Sequence, residues 1–119
     1  DAMESRGLGD VYKRQGATAS IRGGSGFSAF ASAKFALRAV SQSMARELGP
    51  QGIHVAHFVI DGAIDTAFIK ENFPDRYALK EKDGILQPDA IADAYWFVHT
   101  QHRSAWTHEL DLRPYMEKF

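Results

Sequence analysis

Apolar and polar positions follow two rhythms along this chain of 119 residues. Phe30, Leu37, Val40, Met44 and Leu48 recur at helical spacing, which predicts a helix from about Phe27 to Leu48. Gly49 and Pro50 are expected to end it, glycine in the left-handed position past the last turn and proline because it cannot continue a helix. Phe27, Ala31 and Phe35 form a second apolar stripe on the same helix. The next run, "IHVAHFVI" from Ile53 to Ile60, is nearly continuous and β-branched. Its length predicts a strand buried on both faces, as in a parallel sheet covered by helices.

"DGAIDT" then reads as a loop at the strand's carboxyl end, and residues 67–86 as a mobile, partly helical excursion around Phe68, Phe73 and Tyr77. "QPDAIADAYWFVHT" predicts a second helix, with Pro88 at its first position, Asp89 near the positive end of its dipole, and Ile91, Tyr95 and Val98 as its stripe. "HELDLRP" predicts a short strand stopped at Pro114. Ahead of the long helix, "GATAS" (Gly16 to Ser20) reads as a strand end running into the glycine-rich loop "IRGGSG". Strands and helices alternate, which implies an α/β fold with a parallel sheet.

Residues 1–15 stand apart. "DAMESRGLG" has neither periodicity, and "DVYKRQ" is what GAT GTG TAT AAG AGA CAG encodes, a string that resembles the end of a transposon adapter used in sequencing libraries. Native sequence is therefore expected from Gly16 onward, with residues 1–15 contributing nothing to a core. The alternative is that Val11, Tyr12 and Lys13 form an edge strand.

Composition narrows the function classes. A formal net charge of −1 gives no electrostatic reason to expect nucleic acid or an acidic membrane surface. The absence of cysteine excludes disulfides, thiolate catalysis and thiolate-ligated zinc within this chain. No apolar run is long enough to span a bilayer, and the expectation is a cytoplasmic protein.

Several local motifs compete for attention. "GSGFSA" (Gly24, Gly26, Ala29) fits a loose dinucleotide pattern, but the acid near the right distance, Glu47, falls inside the helix. His99 with His102, and His54 with His57, raise the question of metal; the second pair would face opposite sides of a strand, and no metal site is expected. Trp96 and Trp106 read as packing or interface residues, since the basic groove of a single-strand binder is missing.

The spacing of the remaining motifs resembles the C-terminal half of a short-chain dehydrogenase/reductase, over residues 16–119. In that family a strand ends in serine, a glycine-rich loop follows, and the next helix carries Tyr-x-x-x-Lys; "GATASIRGGSGFSAFASAK" has the loop, the helix and Lys34 in register. The following strand of the family ends in a Pro-Gly-x-Val/Ile-x-Thr turn, which "DGAIDT" matches at Gly62, Ile64 and Thr66. The departures are as specific. The family's tyrosine falls on Phe30, its serine on Ala17 and its turn proline on Asp61.

The resemblance implies part of a Rossmann-like doubly wound parallel sheet, and a parent that moves a hydride between NAD or NADP and a small alcohol or carbonyl compound. It implies that Lys34 holds the nicotinamide ribose and that Gly62, Ile64 and Thr66 hold the nicotinamide half of the cofactor. The main phosphate-binding loop would lie outside this chain, and the parent would be a homodimer or homotetramer. Phenylalanine has no proton to give, so the fragment is expected to be inactive, with Thr18, Ser20, Ser32 and Asp61 as speculative substitutes for the lost acid/base. Asp61 is open to two readings, a buried carboxyl group at the sheet's carboxyl end or a solvated turn aspartate. The alternative function is a non-catalytic dinucleotide-binding sensor or subunit on the same fold.

Overall fold

The computed structural model describes the backbone of residues 11–17 and the whole of residues 28–119. Three parallel strands, β1 (Val11–Ala17), β2 (His54–Ile60) and β3 (Glu109–Leu112), form a sheet in that order. Between them run α1 (Ser28–Leu48), two short helices α2 (Ala67–Asn72) and α3 (Pro74–Tyr77), and α4 (Pro88–His99). Single 3-10 turns follow α1, α3 and α4.

The central strand is buried at every residue, as its unbroken apolar run predicts. On one face of it Ala56, Phe58 and Ile60 join Leu86 and Val98 in the core, with Ile91, Ala94 and Tyr95 of α4 and Leu110 and Leu112 of β3 packed around them. Phe58 stacks on Tyr95 with ring centroids 3.9 Å apart and planes 11° from parallel. Alternation sends Val55, His57 and Val59 to the other face, where α1 packs. Helices on both faces of a parallel sheet are the doubly wound arrangement that the sequence implies.

Three expectations are corrected. Residues 11–15 are part of the sheet and do not stand apart from it: β1 pairs with β2 from Val11↔His54 to Ala17↔Ile60, the edge strand of the alternative reading for Val11, Tyr12 and Lys13. Main-chain pairing needs no particular side chains, and a backbone running beside a fully buried strand satisfies that strand's polar groups. The strand reading of residues 18–20 lies outside the described residues.

The face of α1 turned to the sheet is also different. Ala31 and Ser41 are buried there, with Lys34, Arg38 and Ala45 partly so; of the expected stripe Leu37, Met44 and Leu48 are partly buried, while Phe30 and Val40 are exposed. The second stripe splits, since Ala31 packs inward and Phe35 is exposed; Phe27 lies outside the described residues. A small residue lets the helix approach closely, and Ser41 satisfies its hydroxyl within the helix by donating to the Leu37 carbonyl at 2.9 Å. Finally, the left-handed residue after α1 is Gly52 (φ 85°), not Gly49, because a 3-10 turn over Gly49–Gln51 delays the stop.

The α4 expectation stands closely: Pro88 is in its first turn and Asp89 follows. The excursion folds as α2, α3 and a 3-10 turn. It is tied back by Lys80, whose ammonium meets Asp65 at 3.0 Å.

Candidate functional site at the carboxyl end of the sheet

The strand register aligns three carboxyl ends. Ala17 lies beside Ile60, and Ile60 beside Leu112. Open α/β sheets bind ligands outside this edge. The turn Asp61–Thr66 leaves from its centre, and α1, entered from the carboxyl end of β1, brings Phe30 and Lys34 in its first two turns. Sequence-predicted residues Ala17, Phe30, Lys34, Asp61, Gly62, Ile64 and Thr66 therefore belong to one end of the sheet. Thr18, Ser20 and the glycines of "GSGFSA" lie outside the described residues.

Lys34 stands over the ring of Phe30, Nζ to centroid 5.6 Å, as the i, i+4 relation requires. Burial of Lys34 lowers its pKa, and among the described residues no carboxylate pairs with it. Among the described residues its three N–H donors meet no hydrogen-bond acceptor. Phe30 itself is 51% exposed, an apolar wall at the mouth of the edge and not a core residue.

The turn is held from two sides. Leu86 N–H donates to the Ala63 carbonyl and Asp65 N–H to the Leu86 carbonyl, each at 2.8 Å, making a parallel bridge at Ile64. In a parallel bridge the N–H and C=O of the bridged residue itself point the other way. The N–H of Ile64 therefore points away from Leu86. Thr66 caps α2, its Oγ1 accepting from Ile69 N–H at 3.3 Å, and among the described residues its hydroxyl proton meets no acceptor. Gly62 has φ 143°, and a Cβ there would stand 2.9 Å from Cδ of Pro114, so both conformation and space call for glycine.

Asp61 corrects one of its two readings. It is not a solvated turn residue: it is 1% exposed, and its Oδ2 accepts from Nε of Arg113 at 3.3 Å. Sequence reasoning missed Arg113, together with a second charged cluster on the same face of the sheet. Glu109 accepts a bidentate pair from Arg38, Nε at 2.8 Å and Nη2 at 2.9 Å, and its Oε2 also meets Nδ1 of His57 at 3.0 Å. The available signal was the alternation Glu109–Leu110–Asp111–Leu112–Arg113, which puts three charges on one face of the last strand.

Burial pushes the His57 imidazole below its ordinary pKa, against the hydrogen bond and charge of Glu109, which raise it; the charges of Arg38 and His108 add to the lowering. Burial pushes Glu109 up, but the hydrogen bonds from Arg38 and His57, with their charges, leave it below the usual range. Nε2 of His57 is buried with no partner among the described residues. A neutral ring donating from Nδ1 leaves that atom a bare acceptor, whereas protonation would bury an unpaired N–H.

The histidine pairs are otherwise separately engaged. His54 stacks on Trp106 at 4.6 Å and reaches the Thr107 carbonyl at 2.7 Å, while His102 turns to Ser104 and His99 tilts against Trp96. Among the described residues no group of three or more metal-ligating side chains gathers, and no helix is long and apolar enough to cross a membrane. Trp106 is a packing residue; Trp96 is 66% exposed.

A solved short-chain dehydrogenase from Rhodopseudomonas palustris is 50% identical to this chain over 92% of it, with a TM-score of 0.65. Over the length it spans, the chain is related to the C-terminal part of short-chain dehydrogenases. Two more distant members of the fold agree. A serine dehydrogenase, in a closed form complexed with NADP+, matches 92% of the chain at 20% identity and TM-score 0.70. A betaketoacyl-ACP reductase from Bacteroides thetaiotaomicron matches 88% of it at 17% identity and TM-score 0.65. The chain spans 40% of the length of the first short-chain dehydrogenase and of the reductase, and 46% of the serine dehydrogenase. No protein-family model matches the chain, and neither does any curated protein. The α/β sheet described above is accordingly part of a Rossmann-like fold.

Proposed function

We propose that the protein is an NAD- or NADP-dependent oxidoreductase of the short-chain type, acting on a small alcohol or carbonyl compound as a cytoplasmic homo-oligomer. The observation that carries this reading is the pairing of a 50% identical short-chain dehydrogenase with a Lys34 ammonium and an Ile64 amide pointing away from Leu86 at the same end of the sheet. Bound nicotinamide would supply or accept the hydride. This chain's own part is to hold it: Lys34 donates to the ribose hydroxyls, the Ile64 N–H to the carboxamide, and Thr66 to the pyrophosphate, while Gly62 lets the backbone pass.

A second reading has a specific observation in its favour. The residue one turn before Lys34 is a phenylalanine, whose ring cannot exchange a proton. On that reading the protein binds a dinucleotide without turning it over. Titrating the full-length protein with NADH and NADPH by fluorescence, and assaying turnover on a panel of small ketones and alcohols, separates the two. Micromolar binding that Lys34→Ala weakens, with turnover, supports the oxidoreductase; binding without turnover supports the second reading. Absence of binding overturns both.

A further inference from the structure

Asp61 occupies the slot of a proline, a residue that fixes φ and lacks an N–H. Here the slot is filled differently. The Asp61 N–H donates to the Leu112 carbonyl at 2.8 Å, extending the β2–β3 ladder one residue beyond Ile60. The side chain pairs with Arg113, which is where the next rung on that face of β3 would fall: His57 lies beside Glu109 and Val59 beside Asp111. Arg113 is itself fixed by three contacts. Its Nη2 meets Asp111 at 2.6 Å, its Nε meets Asp61, and its guanidinium lies 3.6 Å from the ring centroid of Phe119.

The residues after β3 then close over the turn. Pro114 abuts Gly62 and Met116 abuts Gly84, leaving no room for a Cβ at either glycine. Glu117 N–H turns back to the Pro114 carbonyl at 3.0 Å. An aspartate in this position has no open path to a substrate proton, because its carboxylate is buried and already committed to a guanidinium.

We infer that Asp61 and Arg113 form a positioning pair that sets the path of the Asp61–Thr66 turn, with residues 113–119 clasped behind it, and that Asp61 is not the missing acid of the site. The pair does by ion pairing and a ladder hydrogen bond what a proline ring does by covalent restraint. It acts on the cofactor through Ile64 and Thr66, and in that respect the inference rests on the function proposed above.

The test uses the full-length protein with Asp61→Asn, Arg113→Met, the double variant, and Arg113→Lys as the conservative rescue. Two readouts are taken: hydrogen exchange of the amides of residues 62–66 without cofactor, and KM for the dinucleotide against kcat. Each single variant should speed exchange in the turn and raise KM by about tenfold, with kcat changed less than about twofold. The double variant should be no worse than either single one, and Arg113→Lys should recover part of the loss. Unchanged exchange, strictly additive losses, or a kcat loss at saturating cofactor with KM unchanged in Asp61→Asn would each overturn the inference. If the wild type neither binds nor turns over a dinucleotide, the functional reading fails, and exchange in the turn alone decides the pair.

Discussion

His57 and Arg38 meet on one carboxylate oxygen, Oε2 of Glu109: the imidazole from the central strand, the guanidinium from the helix that packs on it. The cluster fastens α1 across β2 to β3, and α1 carries Lys34 one turn before Arg38. Loosening it should therefore be felt at the site as well as in the fold.

The pH dependence follows from the direction of the two shifts. His57 has a folded pKa below its ordinary 6.5, so the unfolded chain binds the proton first. Its contribution to stability is complete above about pH 6.5 and is lost as pH falls through the folded value. Glu109 is also lowered, from 4.5, so its contribution is present above that value and lost further into acid. Thermal melts from pH 8 down to about 2 should show stability falling in two stages. In His57→Gln the first stage should vanish while the second remains; a first stage of unchanged size would assign it to another group.

Gly62 offers a sharper steric test. Alanine there must adopt φ near 143° and place its Cβ 2.9 Å from the Pro114 ring. Backbone strain of that kind costs about 1–3 kcal/mol. Gly62→Ala should lower stability by about that amount in denaturant melts and weaken dinucleotide binding, whereas Gly49→Ala, with open space around it, should do neither. Equal effects at the two glycines would contradict the geometry.

Much of this fold was legible because periodicity and burial coincide. The unbroken run ending at Ile60 reads as a doubly covered strand, and the α4 stripe of Ile91, Tyr95 and Val98 lands on the core it predicts. The α1 stripe was only partly right: Leu37, Met44 and Leu48 are partly buried, but large apolar residues mark a face that needs a partner rather than the face nearest the sheet. The sheet here takes Ala31 and Ser41, and Phe30, Phe35 and Val40 are left outward. Lys34 and the turn were legible from spacing, since a helical turn and a strand end each set local geometry. Asp61 was not, because its partner lies 52 positions away, and no local pattern reports a pair closed only by strand register. The beginning of β1 was missed for a related reason: main-chain pairing carries no periodicity of its own.

That last point changes what a deletion should do. Residues 11–17 lie along the whole of β2, from His54 to Ile60, and shield one edge of a strand that is buried throughout. Removing residues 1–15 should open the ladder from His54 to Phe58 and lower the melting temperature by several degrees, the equivalent of about 1 kcal/mol or more. An unchanged melting temperature would show that the pairing contributes nothing, whatever the origin of the segment.

The remaining prediction concerns Phe30. Its ring already lies under the Lys34 ammonium, and it is half exposed at the edge where substrate would arrive. Phe30→Tyr adds one oxygen without enlarging the buried volume, so the cost to the fold should be small. Lys34, with a pKa lowered by burial and no carboxylate partner among the described residues, would stabilise the phenolate more than a screened surface lysine does. Ala17→Ser adds a hydroxyl at the end of β1, beside Ile60 in the register and thirteen residues before Phe30. In the full-length protein the double variant should reduce small ketones faster than wild type by at least ~10²-fold, the lower end of a positioned acid/base contribution. Lys34→Ala in that background should remove the gain. A wild type that turns over as fast as the double variant would mean that another group delivers the proton and that Phe30 is only a wall of the pocket. Cofactor binding in both proteins with turnover in neither would leave the dinucleotide-binding reading as the better account of why a phenylalanine stands there.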